Sequence, residues 1–376
     1  MNPFSPAFGS QPNYLAGREA IVQAFMAGLA GGPGDPNRST IVVGPRGSGK
    51  TALLAHIAGL APAQGWIQAQ VTALPGMLDA ILEQLMTNAQ ELLPSAAKAK
   101  LTSVGAFGLS VSVARTQERP ASWRLQTSRF LEALAATDTG LLITVDEVNA
   151  GLNELVHLVA DYQHFVSEGR QVALLLAGLP GRVLQLLTHK SVSFLRRAAQ
   201  HHLQPLSQAD ARLALRIPIE NSGRTIEPAG LDAAAQFSTG FPFLVQMVGY
   251  QSWRQNPEHQ TITAADVTEG IRASGESMDN MILDTTIREI SPGDLSFLLA
   301  MSKDQGFSLI KDLGIRLGIT PANAGQYRLR LIKQGLIEPY GRGRVRFALP
   351  LLQDYLLRHE AGLFSRATPW SVPGDD

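Results

Sequence analysis

Gly44-Pro45-Arg46-Gly47-Ser48-Gly49-Lys50-Thr51 fits the phosphate-binding loop pattern G-x-x-x-x-G-K-[ST]. Ahead of it, Ser39-Thr40-Ile41-Val42-Val43 is β-branched and apolar and reads as a buried strand. Behind it, Ala52 to Ala58 reads as a helix. The motif requires that strand–loop–helix context. The glycines let the backbone curl so that its N–H groups face a phosphate, and the helix N-terminus adds positive potential. In such a loop Lys50 reaches the β- and γ-phosphates of a nucleotide and Thr51 ligates Mg²⁺. A plain glycine-rich turn before a helix is the competing explanation, and the matching flanks weigh against it.

A second stretch supplies acids. Leu141-Leu142-Ile143-Thr144-Val145 is apolar or β-branched and ends in Asp146-Glu147. That suits a buried parallel strand carrying two carboxylates at its C-terminal end, where open α/β sheets place their ligands. Asp146 would hold Mg²⁺ through water, and Glu147 would polarise the attacking water. Gln171 to Leu179 is another apolar strand. Helical stretches at Leu74–Leu93, Trp123–Ala135 and Leu152–Ser167 alternate with these strands. The alternation predicts an α/β fold with a parallel, doubly wound sheet.

Composition bounds the rest. The chain has 376 residues, 45% hydrophobic and 17% charged, with zero net charge and no cysteine. A chain of this length holds two or three domains. Disulfides, thiol catalysis and cysteine-ligated zinc are excluded. Zero net charge rules out a uniformly basic nucleic-acid coat, so any such surface is local. Met1 to Gly17 lacks the basic and apolar regions of a secretory signal, and the longest apolar run, Val172 to Leu179, is too short to span a bilayer. A soluble cytoplasmic protein without membrane contact is expected.

Along the chain, residues 1–13 read as an arm, followed by Gly17-Arg18-Glu19 and an amphipathic helix. Arg18 and Glu19 are either ordinary helix-start charges or part of a site. Residues 95–121 read as irregular, with a half-exposed strand at Gly108–Ala114. Arg196 and Arg197 are either solvated helix charges or phosphate sensors. From Leu206 to about Ile271 the pattern is helical throughout, punctuated by Thr239-Gly240-Phe241-Pro242. Residues 287–360 read as helix–turn–helix (Ser308–Leu317, then Pro321–Gln334) with a glycine-tipped hairpin, a winged helix. Between Lys311 and Arg346 lie eight basic residues against two acids. Arg328 and Lys333 are expected on the exposed part of the third helix, and Arg342, Arg344 and Arg346 alternate in the wing. That pattern is the footprint of DNA-phosphate contact, although a winged helix also serves to pack against its own core or another protein. The expected domains are a core at 1–203, a helical lid at 204–283, a winged helix at 284–362 and a flexible tail at 363–376.

Taken together, these motifs resemble AAA+-related P-loop ATPases, in particular the signal-transduction clade (STAND) and the origin-recognition ATPases. The likeness spans nearly the whole chain. Leu15-Ala16-Gly17-Arg18-Glu19 looks like the family's adenine-side motif, Gly44–Thr51 like Walker A and Leu141–Glu147 like Walker B. Arg196 or Arg197 falls where relatives place an arginine near the last strand. Gly240-x-Pro242 resembles the motif that in the signal-transduction clade contacts nucleotide from the lid. The resemblance implies a P-loop NTPase core with an all-α lid and a C-terminal winged helix. It further implies ATP/ADP and Mg²⁺ as ligands, and catalysis by Lys50 and Glu147 with Asp146 and Thr51 at the metal. Two departures imply slow hydrolysis: the strand at 171–179 ends in Ala177-Gly178, where many relatives carry a polar sensor, and no clear lid arginine follows Pro242. The implied function is a switch whose nucleotide state controls DNA binding, or alternatively a nucleotide-gated module for a homo-oligomer or signalling partner.

Overall fold

A computed structural model describes residues 1–7, 9, 11–92 and 122–367. The expected strand at 108–114, the irregular stretch 95–121 and the last nine residues of the expected tail lie outside them. The chain forms two compact units, Arg18–Gly44 with Lys50–Leu203, and Met1–Gly17 with Pro45–Gly49 and Gln204–Asp376. One boundary between the units falls at 203/204. The first 17 residues, however, belong to the unit that begins at Gln204.

In the first unit, β1 (Ser39–Val43), β2 (Trp66–Thr72), β3 (Gly140–Asp146), β4 (Val172–Gly178) and β5 (Ala199–His202) form one parallel sheet in the order β2-β3-β4-β1-β5. β3 and β4 are buried along their length except at Asp146, as their unbroken apolar runs require. α1 (Glu19–Ala30), α2 (Lys50–Leu60), α3 (Met77–Leu92), α4 (Trp123–Ala135), α5 (Asn153–Ser167) and α6 (Pro180–Thr188) accompany the sheet. Ile81 and Leu85 of α3, Leu134 of α4 and Leu158 of α5 join Ile67 and Ile143 in the core. Arg38 is buried where β1 begins. Its Nε and Nη2 donate to the Gly28 and Leu29 carbonyls at 2.9 and 2.7 Å, which closes the C-terminus of α1.

β5 follows directly on Arg196 and Arg197, where the sequence suggests helix charges and no strand. Ala-Gln-His-His has neither β-branching nor an apolar run. Its strand state comes from pairing with β1, Thr40 opposite Ala199 to Val43 opposite His202.

The second unit contains α7 (Gln208–Asn221), α8 (Pro228–Phe237), α9 (Pro242–Gln255) and α10 (Ala264–Met278). Ser207 caps α7 through Asp210 N–H, and Thr263 and Asp266 form a reciprocal capping box on α10. Strands do not vanish here as the sequence suggests, because Thr225–Ile226 (β6) pairs with Thr261–Ile262 (β7) in parallel. Two residues are too few to show a period. The N-terminal arm is docked rather than loose: Phe4 is buried in the cluster of Leu215, Val245, Val248 and Trp253, and Asn2 Nδ2 donates to the Tyr250 carbonyl at 3.1 Å.

α10 continues through a π-turn, Asp279–Leu283, into α11 (Asp284–Glu289). There follow α12 (Pro292–Ser302), β8 (Ser308–Leu309), α13 (Ile310–Arg316), α14 (Pro321–Gln334), β9 (Ile337–Pro339), β10 (Arg344–Phe347), α15 (Leu352–Arg358) and α16 (Glu360–Phe364). β8, β10 and β9 make an antiparallel sheet in that order. Ser308 and Leu309, read from sequence as helix, are its edge strand. Thr320 caps α14 with Pro321 at its first position, and Gly335, at φ 76°, ends it. Leu363 and Ala367 are buried in the core with Phe297, Leu331 and Val345, so packing continues past residue 363, where the sequence predicts a free tail.

Candidate functional site

β1 delivers the chain to Gly44, whose N–H donates to the Gly178 carbonyl at the end of β4 at 3.3 Å. α2 begins at Lys50. This lysine is buried, with Nζ donating to the Gly44 carbonyl at 3.0 Å. The next residue, Thr51, donates its hydroxyl to Asp146 Oδ2 at 2.5 Å. The other carboxylate oxygen of Asp146 accepts from the Glu147 backbone N–H at 2.8 Å. Threonine and aspartate therefore meet, and the lysine lies on the loop beside them in sequence. A threonine hydroxyl and a carboxylate are hard oxygen donors of the kind that Mg²⁺ accepts.

Glu147 is exposed and holds φ at 54°, a left-handed conformation uncommon for a non-glycine residue. Its neighbour Val148 is fixed by a 2.9 Å bond from its N–H to the Ala177 carbonyl. Val148 also explains the missing polar residue on β4. A Cβ on Gly178 would lie 2.5 Å from Val148 Cγ2, so the space beside Gly178 is already filled.

Residues 45–49 belong to the second unit. Gly47 and Gly49 have φ of 75° and 86°, the conformations that curl such a loop. Ser48 Oγ donates to the Pro45 carbonyl at 2.8 Å, while Arg46 is exposed. The Phe243 N–H donates to the Gly47 carbonyl at 3.3 Å, and Pro242 lies 3.6 Å from where a Cβ of Gly49 would stand. The start of α9 thus rests on the glycine loop. The preceding Gly240 accepts from Leu206 N–H at 2.7 Å. Gly17, in the same unit, lies against Leu206 and the Asp210 carboxylate. Arg18 opens the other unit as the N-cap of α1 and is buried. Arg196 and Arg197 end the 3₁₀ segment before β5, both exposed, and Arg196 Nε is held by the Leu187 carbonyl at 2.9 Å.

The basic C-terminal region departs most from its sequence reading. Arg328 is half-buried rather than exposed, and its Nε is buried without a hydrogen-bond partner. Arg330 is paired with the buried Asp294 at 2.8 Å and lies over the Tyr327 ring. The Asp294 bond raises the Arg330 pKa. Arg316 pairs with Asp304 at 2.7 Å, and Arg346 with Glu338 at 2.5 Å. Lys311, Lys333, Arg342 and Arg344 stay exposed. The charge count over 311–346 takes in all three arginines but only one of their acidic partners, Glu338.

Residues 14–165 match the AAA ATPase domain, and residues 280–356 match a domain of unknown function, DUF8462. No curated protein sequence matches the chain. Among solved structures, the Walker-type ATPase PABY2304 of Pyrococcus abyssi is similar at 16% identity, over 92% of this chain and 97% of that one, with a TM-score of 0.63. The Aeropyrum pernix ORC2 protein in its ADPNP–ADP complexes is similar at 15% identity, over 96% and 97%, with a TM-score of 0.62. At such identities the likeness is one of fold. With the domain match it shows an α/β P-loop NTPase core. Among the described residues no helix is long and apolar enough to cross a membrane.

Proposed function

We propose that the chain is an ATP-dependent switch that binds ATP with Mg²⁺ at Gly44–Thr51 and hydrolyses it slowly. The observation that carries this reading is the bond between Thr51 Oγ1 and Asp146 Oδ2, which joins two motifs 95 residues apart. Lys50, held on the Gly44 carbonyl, would meet the β- and γ-phosphates. Thr51 and Asp146 would hold Mg²⁺, which supplies charge neutralisation on the phosphates when bound. Glu147, exposed beside Asp146 in a strained conformation of the kind that clusters at active sites, is the group to orient water. Val148 in place of a polar sensor supports slow turnover, because nothing on β4 then helps to orient that water.

Nucleotide state would pass through the contact of Gly47 with Phe243 to the helices after Gly240-x-Pro242, the feature in keeping with a signal-transduction ATPase. Residues 287–360, with helices α12 to α15 and a three-stranded sheet, would serve as a winged helix that engages DNA through Lys333, Arg342 and Arg344. The pairing of Arg316, Arg330 and Arg346 favours a second reading, a nucleotide-gated protein-interaction module.

The test is ATP turnover with and without duplex DNA, comparing the intact chain with Lys50→Ala. Turnover that DNA alters and Lys50→Ala abolishes is expected. Turnover unchanged by Lys50→Ala overturns the site. Retention of duplex and of single-stranded DNA that both stay flat across salt overturns the DNA role.

A further inference from the structure

The sheet β8-β10-β9 has two faces, and only one has a structural task. Arg344 pairs with Leu309 and Arg346 with Glu338, and the Tyr340 N–H donates to the Arg344 carbonyl at 3.0 Å. Side chains opposite one another share a face. Ser308, Ile337 and Val345 therefore point into the core, and all three are buried. Phe307, Leu309, Glu338, Tyr340, Arg344 and Arg346 fall on the outer face. There Phe307 is 36% exposed and Tyr340 45% exposed. Their rings stack with centroids 5.7 Å apart and planes 29° from parallel. The Arg344 guanidinium lies 4.6 Å from the Phe307 centroid and that of Arg346 lies 4.8 Å from Tyr340.

Two exposed aromatic rings flanked by two guanidinium planes are more than a sheet needs for its own stability, since the inner face already supplies the packing. The charge on this face points to the occupant. Glu338 is its one acid and is already paired with Arg346, which leaves Arg344 on Phe307 and Arg342 exposed at the adjoining hairpin tip. An anionic partner with flat π-faces at regular intervals matches both the charge and the rings. Duplex DNA hides its base faces within the stack, whereas a single strand presents them, and aromatic or arginine planes then stack on them without regard to sequence.

We infer that this outer face binds single-stranded DNA, with Phe307 and Tyr340 as the stacking platform and Arg342 and Arg344 on the backbone. The inference rests on the DNA reading above and narrows it to unpaired strands.

The test measures binding of the full chain to a labelled thymidylate oligomer of about 20 nucleotides and to a duplex of equal length. Phe307→Ala and Tyr340→Ala should each weaken single-strand binding about tenfold, and the double variant about a hundredfold. Tyr340→Phe, which keeps the ring, should stay within about twofold. Circular-dichroism melts of each variant verify the fold. Three results overturn the inference: single-strand binding by the double variant that matches the parent, a loss with Tyr340→Phe as large as with Tyr340→Ala, or a parent chain that holds duplex but not single strand. A parent chain that holds neither overturns the underlying DNA reading as well.

Discussion

Lys50 and Arg330 are both cations that the sequence offers to an anionic ligand, and the fold treats them oppositely. Lys50 is buried, and its ammonium reaches the carbonyl of Gly44, six residues back, at the mouth of the loop its own motif builds. Arg330 gives its guanidinium to Asp294, on a different helix 36 residues away, and lies over Tyr327. The lesson concerns range. A loop whose geometry is set by its own glycines carries its lysine to the same place wherever the motif occurs. A helix-surface arginine takes its partner from whatever helix packs beside it, and eight basic residues along a sequence therefore overstate the free charge.

The largest effect that would sharpen this contrast is at the loop's partner acids. Glu147→Gln should lower ATP turnover by about a hundredfold or more while leaving nucleotide affinity within a fewfold, measured by phosphate release and by equilibrium binding. Loss of affinity with turnover retained would remove Glu147 from the chemistry. Next is Gly178→Ala. The added methyl meets Val148 at 2.5 Å, and such overpacking costs about 1–3 kcal/mol, visible as a lower urea midpoint. Because Val148 follows Glu147 directly, turnover should fall as well. An unchanged midpoint would show that β4 has room for a sensor side chain.

A smaller effect is expected at Asp294. Asp294→Ala removes the partner of Arg330 and of the Ser291 hydroxyl, and it should cost about 1–2 kcal/mol of stability, since Arg330 is 46% exposed and can rehydrate. DNA affinity should not rise by more than the one freed charge permits. The smallest effect separates engaged from free arginines. Arg342→Gln should lower the salt dependence of DNA retention by about one unit of slope, whereas Arg316→Gln, paired with Asp304, should leave it unchanged. Equal slopes for the two variants would break the distinction between the loop and the helix surfaces.

Much of the fold is legible in the sequence wherever an element carries its own period or cap. β3 and β4 are unbroken apolar runs, α4 and α14 begin at capped positions, and the glycine loop announces its strand and helix. The elements that escape a sequence reading are short and defined by partners. β5, β6, β7 and β8 have two to four residues each and become strands through Val43, Thr261, Thr225 and Val345 opposite them. The docked arm is of the same kind, because Phe4 in a Pro- and Ser-rich stretch looks like part of a loose terminus until the helix that buries it is in place.

The residue order by itself determined the loop, the placement of two acids at a strand end and the α/β alternation that brings them together, because backbone geometry and hydrophobic period are local properties. Only the tertiary structure decided that Val148 closes the place of a β4 side chain, that Arg316, Arg330 and Arg346 are paired, and that Phe307 and Tyr340 meet across β10 on an open face. Those outcomes depend on which distant side chains the folded chain brings within a few ångströms. Residue spacing along one element holds no record of them.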